Sequence, residues 1–270
     1  MSEIKLQYRH NHQCQPHYLN NAEIEHVAQD VRRQLGLSDR RALTIEDLAG
    51  IERLNINGVG FDVWVDLDHP IHDNEHESIL GLFEFIPESS VDAVSVCVSP
   101  LGPNMNAALQ LSTFAHELGH AIFDGPALVA QHRNRSLAEL SDAGVVRSFR
   151  SVTETTDQLN KADQHLPPQI RFAELRANEF MGSLLVPREA LWEVIMDEAP
   201  KHALEISYGE ETLFAETLDG KKKIIWSPVT FDMDCWTFTR TLAPYFGVNP
   251  AFIDVRMMRY GIVPADGKPN

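Results

Sequence analysis

Apolar residues recur at two spacings along the chain, which predict helices in some stretches and strands in others. Near the N-terminus, apolar positions three and four residues apart predict a helix from Ile24 to Leu35, capped by Asn20 or Asn21 and stopped at Gly36. A short second helix follows Thr44, which precedes two acidic residues in a favourable first turn. The first twenty residues are expected to form a polar tail.

Alternation of apolar and polar residues then predicts three strands, at residues 61–65, 79–86 and 91–98. Between the first two lies the acidic, histidine-rich segment 66–77, which we interpret as a solvated hairpin loop. We expect the third strand to be a sheet edge on which a substrate peptide could pair as an added strand.

Helical spacing returns after Asn104 or Asn106 and ends at the Gly125–Pro126 break. Residues 127–168 are polar and are expected to form short helices or an excursion. The double proline at 167 and 168 then begins a helix that ends by Pro187.

The last part of the chain predicts a different arrangement. Strands at 212–218 and 221–229 flank Asp219–Gly220, a dipeptide typical of β-hairpins. Helices at 236–246 and 252–260 follow, joined by a short glycine-containing turn as in a helix-turn-helix unit. The chain is therefore predicted to be α+β, with one domain over residues 20–190 and a C-terminal hairpin and helical region over residues 191–270.

Composition limits the cellular location and the binding partners that we expect for the protein. The chain has 270 residues, of which 43% are hydrophobic and 23% are charged, and it carries a net charge of −16. This sign opposes nonspecific attraction to nucleic acid and to anionic lipid. No apolar run approaches a membrane span, the first residues lack a signal-peptide core, and three scattered cysteines make no disulfide framework. We expect a cytoplasmic protein with no membrane partner.

Candidate catalytic and metal-binding residues lie in the predicted helix that starts at Asn104 or Asn106. His116 and His120 are four residues apart, so they project from one side of the helix and can bind one metal ion. Glu117 lies one residue round, where it can reach a metal-bound water as a general base. This is the arrangement of a zinc hydrolase, which leaves one metal position open for water.

A catalytic zinc ordinarily takes a third protein ligand. The extended metzincin pattern is excluded because Phe123 and Pro126 stand where it needs glycine and histidine. Glu174 on the later helix suits the role, and Asn178, one turn on, can hydrogen-bond a metal-bound imidazole. Glu179 and Asp124 are the alternatives for the third ligand.

These two helices carry a resemblance to a known family. The run from Ser112 to Ala121 (STFAHELGHA) and the run from Glu174 to Pro187 (ELRANEFMGSLLVP) closely resemble the ImmA/IrrE family of bacterial metallopeptidases. The segments near Leu35 and from 242 to 261 resemble its terminal regions. Departures are the long insert between the two motifs, an insert near 200–230, and Gly182 where alanine is usual.

The resemblance implies a zincin-like fold, bound Zn²⁺ and proteolysis of a regulatory protein. Family members typically cut helix-turn-helix repressors, which here would switch on stress-response, defence or mobile-element genes, and the gene of such a partner is expected nearby. The alternative is a DNA-associated regulator that uses its C-terminal helices and holds a structural or vestigial zinc. Only Arg256 and Arg259 lie on the second of these helices, so we expect the unit to dock on the core or hold substrate.

Two further features each leave two interpretations. Cys97 is either an inhibitory fourth zinc ligand or, as we favour, a small apolar core residue. A set of arginines after the motif helix either binds single-stranded DNA or another signal ligand, or forms a solvated helix face, which we also favour. These arginines are Arg133, Arg135, Arg147 and Arg150.

Overall fold

The chain divides into two compact units, residues 1–184 and 185–270. The computed structural model describes residues 2–72, 76, 78–85, 92–103, 105–134, 147–151, 167–208, 222–227 and 229–263. Within these ranges no helix is long and apolar enough to cross a membrane. The boundary falls six positions before the 190/191 split expected from the sequence.

Five helices begin in the first unit, and asparagine side chains cap the starts of two of them. They are α1 (Asn21–Gln34), α2 (Ile45–Ala49), α3 (Ala107–Phe123), α4 (Gly125–Asn134) and α5 (Pro168–Leu185). Asn20 accepts a hydrogen bond from the Glu23 backbone N–H, and the Glu23 carboxylate accepts one from the Asn20 backbone in return. Asn106 caps α3 through the Leu109 backbone N–H. The predicted caps Asn20 and Asn106 are confirmed, and each accepts a hydrogen bond from an N–H group that the first turn of a helix leaves unpaired.

The same unit contains a mixed sheet of seven strands. They are β1 (Ser2–Leu6), β2 (Ile51–Ile56), β3 (Val59–Asp66), β4 (Ile71–His72), β5 (Ser78–Phe85), β6 (Ala93–Val98) and β7 (Arg147–Ser151). The order is β1-β2-β3-β6-β5-β4, and β7 also pairs with β5. The β1–β2 and β3–β6 pairs are parallel, and the others are antiparallel. Helices and a mixed sheet confirm the α+β class.

The sheet corrects several sequence predictions. The expected polar tail supplies β1, whose Ile4 and Leu6 are buried. The predicted edge strand, β6, lies between β3 and β5 and is therefore central. For the same reason the segment 66–77 does not join β3 and β5 as a hairpin, since β6 lies between them. Part of the segment, Ile71–His72, instead forms β4, which pairs antiparallel with β5. The polar segment after α3 was expected to form short helices or an excursion. It contributes the short helix α4, as expected, and also strand β7, which was not expected.

One face of this sheet is covered and the other is partly open. Gly81, Phe83, Val96 and Val98 are buried on the face that packs against α3. Burying a side chain such as that of Phe83 stabilises the fold by about 1.5–3 kcal/mol. On the opposite face Trp64 remains 47% exposed.

The second unit combines a small hairpin with helices. It contains α6 (Arg188–Glu198), a 3₁₀ turn (Ala199–His202), β8 (Glu205–Tyr208), β9 (Lys222–Ile225), α7 (Phe231–Phe246) and α8 (Pro250–Arg259). β9 lies in a predicted strand, but its partner is β8. The predicted strand 212–218 and its Asp219–Gly220 turn lie outside the described residues. The predicted turn between the last helices is confirmed by Gly247, which ends α7 at φ 65°.

Candidate metal centre

Helix α3 is buried from Gln110 to Phe123, which is unusual for a segment with two histidines and a glutamate. His116 and His120 are 4% and 2% exposed, and Glu117 is fully buried. Buried polar groups are costly unless they are paired or bind a metal. The burial therefore indicates that these side chains have a shared function rather than forming a solvated helix face.

The carboxylate of Glu174 on α5 lies close to the Nε2 atoms of both histidines. Its Oε2 lies 3.3 Å from Nε2 of His116, and its Oε1 lies 3.3 Å from Nε2 of His120. The two Nε2 atoms are 3.2 Å apart. Among the described residues, these three side chains form a group whose ligand atoms all lie within 4.8 Å of one another, so they could hold a metal ion.

The Nδ1 atoms of the two imidazoles form hydrogen bonds with other side chains. Nδ1 of His116 donates to Oδ1 of Asn178, at 3.1 Å, and Nδ1 of His120 donates to Oδ2 of Asp124, at 2.8 Å. Arg176 donates to the other oxygen of Asp124, at 2.9 Å. With Nδ1 engaged as a donor, Nε2 of each ring is the nitrogen left to bind a metal ion.

The ligands converge because helices α3 and α5 approach very closely. A Cβ atom on Gly119 would lie 3.0 Å from Cα of Ala177 and 3.3 Å from its Cβ. Glycine on one helix and alanine on the other therefore allow a contact that larger side chains would prevent. This contact lies beside Asn178 and one turn from Glu174, so it brings both within reach of the imidazoles.

Glu117 lies under strand β5. A Cβ atom on Gly81 would come within 2.8 Å of Oε1 of Glu117 and 2.5 Å of Cγ2 of Thr113. Only glycine lets the strand pass so close to the helix. Two positions along, the Phe83 ring stacks on that of His120, with centroids 6.1 Å apart. Strand β5 thus forms one wall of the centre.

The charges of the centre are strongly coupled. Burial alone lowers the pKa of an imidazolium, but hydrogen bonds to Asp124 and Glu174 outweigh it and raise the pKa of His120 to about 10. Burial alone raises the pKa of a carboxyl group, but the two imidazoles hold the pKa of Glu174 well below its ordinary value. The centre is therefore built to place a carboxylate against positive charge, which a metal cation would also supply.

The structure brings together four of the residues singled out from the sequence: His116, His120, Glu174 and Asn178. Asp124, weighed earlier as a third ligand, instead accepts a hydrogen bond from His120. Glu179, the other alternative, is buried and accepts a hydrogen bond from Ser183 within its own helix. The role of Asp124 could have been inferred from its position four residues after His120.

Cys97 is not brought to these ligands. It is paired with Leu82 across the sheet, whereas the neighbouring Val98 is paired with Gly81, which faces α3. Because side chains alternate along a strand, the Cys97 thiol lies on the opposite face of the sheet from Glu117. There it is half-buried, 3.0 Å from the Ser95 hydroxyl, and burial raises its pKa. A fourth-ligand role for this thiol is not supported.

The arginines do not share one helix face. Arg133 on α4 donates to Asp92 and to the Gly60 carbonyl, each at 2.9 Å. Arg147 and Arg150 lie on strand β7, and Arg135 lies outside the described residues. The expected helix face carrying all of them is therefore wrong.

We expect Asp124→Ala to weaken metal binding by about 10–100-fold, because His120 would lose the acceptor that fixes its ring and its tautomer. Titration against a chromophoric chelator would measure the change. Asp39→Ala removes an exposed carboxylate and serves as the control. An affinity equal to that of the control would show that Asp124 does not orient the ligand.

Comparison of the chain with known protein families, with curated proteins and with solved structures found no match.

Proposed function

We propose that His116, His120 and Glu174 bind Zn²⁺. In a tetrahedral site with bonds of about 2.0–2.1 Å, neighbouring ligand atoms lie roughly 3.3 Å apart. The separations in this centre are 3.2, 3.3 and 3.3 Å. Two imidazoles and one carboxylate also match the donor set of catalytic zinc sites, which keep a fourth position for water.

Zinc binding should release about one proton. At pH 7 the metal-free His120 is protonated, since its pKa is about 10, and the metal takes the place of that proton on Nε2. Affinity should therefore fall as the pH is lowered. Calorimetric titration of zinc in buffers with different ionisation enthalpies measures the released proton, and a heat independent of buffer would contradict the expectation.

The class of protein that we infer is a zinc hydrolase acting on peptide bonds. A bound Zn²⁺ would polarise the scissile carbonyl and acidify a water. We propose Glu117, which follows His116 in sequence and is fully buried, as the carboxylate that takes the proton from that water. The same carboxylate then passes the proton to the leaving amine. Asp124 and Asn178 hold the imidazoles fixed throughout.

We further propose a zincin-like endopeptidase of the ImmA/IrrE kind, with a helix-turn-helix repressor as its substrate. The approach of Glu174 to both histidines and of Asn178 to His116 supports this proposal, because both residues belong to the segment that resembles the family. Cleavage of the repressor would switch on stress-response, defence or mobile-element genes.

The experiment is to incubate the zinc-loaded protein with the helix-turn-helix protein encoded next to its gene, and to identify cleavage products by mass spectrometry. We expect one main cut, lost when zinc is removed and restored when it is returned. An intact partner under conditions where zinc occupies the site would count against this substrate.

The alternative of a DNA-associated regulator finds less support. Of the two arginines on α8, Arg256 is 2% exposed and lies over the Tyr260 ring, 4.3 Å from its centroid. A buried arginine cannot reach a base edge or a phosphate. A single-stranded DNA signal would also have to compete with the contacts that Arg133 makes within the protein.

A further inference from the structure

Strand β5 is paired on both sides. One side pairs with β6 and, at Ser78 and Ile79, with β4. The other side pairs with β7, a strand from the long insert between the two motif helices. In the β7 pairing, Gly81 lies opposite Arg150, Phe83 opposite Ser148 and Glu84 opposite Arg147, and the strands are antiparallel. A short strand from the insert thus occupies the side of β5 that β6 leaves open.

That side of β5 adjoins the metal centre. Gly81 lies directly over Glu117, and Phe83 stacks on His120, so the strand passes both the base and a ligand. Strand β7 also approaches helix α3, with Cα atoms of the two elements within 8 Å of one another. The backbone of the insert therefore lies where an extended peptide would have to lie to present a bond to the centre.

An extended peptide binds most readily to a sheet edge, whose N–H and C=O groups await partners. On β5 those partners are supplied by β7. We infer that β7 is an internal occupant of the peptide-binding edge, so that the protein in this conformation blocks its own site until β7 is displaced. This inference rests on the proposed peptidase function.

A peptide could displace β7 without a net loss of backbone hydrogen bonds to β5. A peptide that replaces β7 makes the same kind of backbone hydrogen bonds with β5, and β7 contributes only five residues. A partner that binds the insert, or a substrate that outcompetes β7, would then open the site. The population of the open form sets the apparent affinity for peptide.

A double substitution, Ser148→Pro with Phe149→Pro, tests the inference. N–H groups of successive strand residues point to opposite sides, so one of these two residues donates toward β5, and proline removes that donor. The matched control, Ser148→Thr with Phe149→Tyr, keeps both donors. Hydrogen exchange of the β5 amides reports pairing, and cleavage of a mixed pool of short unstructured peptides, read by mass spectrometry, reports access.

With zinc bound, we expect the proline variant to exchange its β5 amides faster and to cleave the pool about tenfold faster or more than the control. Adding Glu117→Gln should abolish the gain. Unchanged exchange would show that β7 does not hold β5 in solution and would overturn the inference. Faster exchange with unchanged cleavage would overturn it while leaving the peptidase proposal intact.

A disulfide between β5 and β7 tests the inference in the opposite direction, because it holds β7 in place. This test does not require the proline variant to fold. Glu84 and Arg147 lie directly opposite each other, a separation that a disulfide can bridge. Glu84→Cys with Arg147→Cys, in a Cys97→Ala background to prevent mispairing, would lock β7 onto β5. Cleavage should fall at least about tenfold on oxidation and return with a phosphine reductant, which binds zinc weakly.

A locked protein that cleaves as fast as its reduced form would overturn the inference. If neither the proline variant nor the reduced protein cleaves any peptide while zinc is bound and the β5 amides exchange freely, the peptidase proposal itself fails, and the inference falls with it. The two failures are thereby distinguished.

Discussion

Glu117→Gln should abolish peptide hydrolysis while the metal stays bound. Glutamine has nearly the same shape as glutamate but cannot accept the proton of the attacking water, so we expect a loss on the order of 10²–10⁴ in kcat. The three metal ligands are unchanged, and zinc content measured by mass spectrometry of the native protein should therefore match that of the wild type.

A control separates this effect from the loss of one negative charge. Glu46→Gln removes an exposed carboxylate on α2, far along the chain from the centre, and should leave both zinc content and cleavage unaltered. Retained hydrolysis in Glu117→Gln would mean that the centre is structural or that another group takes the proton. Loss of zinc in that variant would assign Glu117 to metal binding.

Glu174→Ala should release the metal. The change leaves two imidazoles on one helix and removes the ligand that joins them to α5, so we expect zinc affinity to fall on the order of a thousandfold or more. Competition with a chelator of known affinity measures the loss. Activity should disappear at zinc concentrations that saturate the wild type.

Glu179, one of the two rejected candidates for the third ligand, provides the comparison for this prediction. Glu179→Gln alters a carboxylate on the same helix that does not belong to the metal-binding group, and its zinc affinity should stay within a few-fold of the wild type. If zinc affinity fell more in Glu179→Gln than in Glu174→Ala, the assignment of the third ligand would be wrong. Circular dichroism on both variants excludes unfolding as the cause.

Interactions between residues close in sequence made the helices and two of the three residues of the metal-binding group predictable. The caps at Asn20, Thr44 and Asn106 depend only on neighbouring residues, and the spacing of His116 and His120 places them on one side of a helix whatever surrounds it. Glu174 is distant in sequence, and it was found from the pattern on its own helix and from a family resemblance.

Features that depend on pairing between distant segments were not predictable. The sequence of β6 is that of a strand, but it does not say that β3 and β5 lie on either side of it. The direction of the Cys97 thiol depends on which face of the sheet meets α3, and a shift of one residue reverses it. Strand β7 is polar enough that its pairing with β5 could not be read from periodicity.

The close contact between Gly119 and Ala177 has a consequence for the lifetime of the protein. A metal ion bound at this crossing would tie residue 120 to residue 174, and would so close a loop that contains the whole insert. Ligand binding to the folded state alone adds to its stability with the logarithm of metal concentration. Zinc supply would then govern how often α3 and α5 separate, and zinc depletion would expose the protein to faster proteolysis.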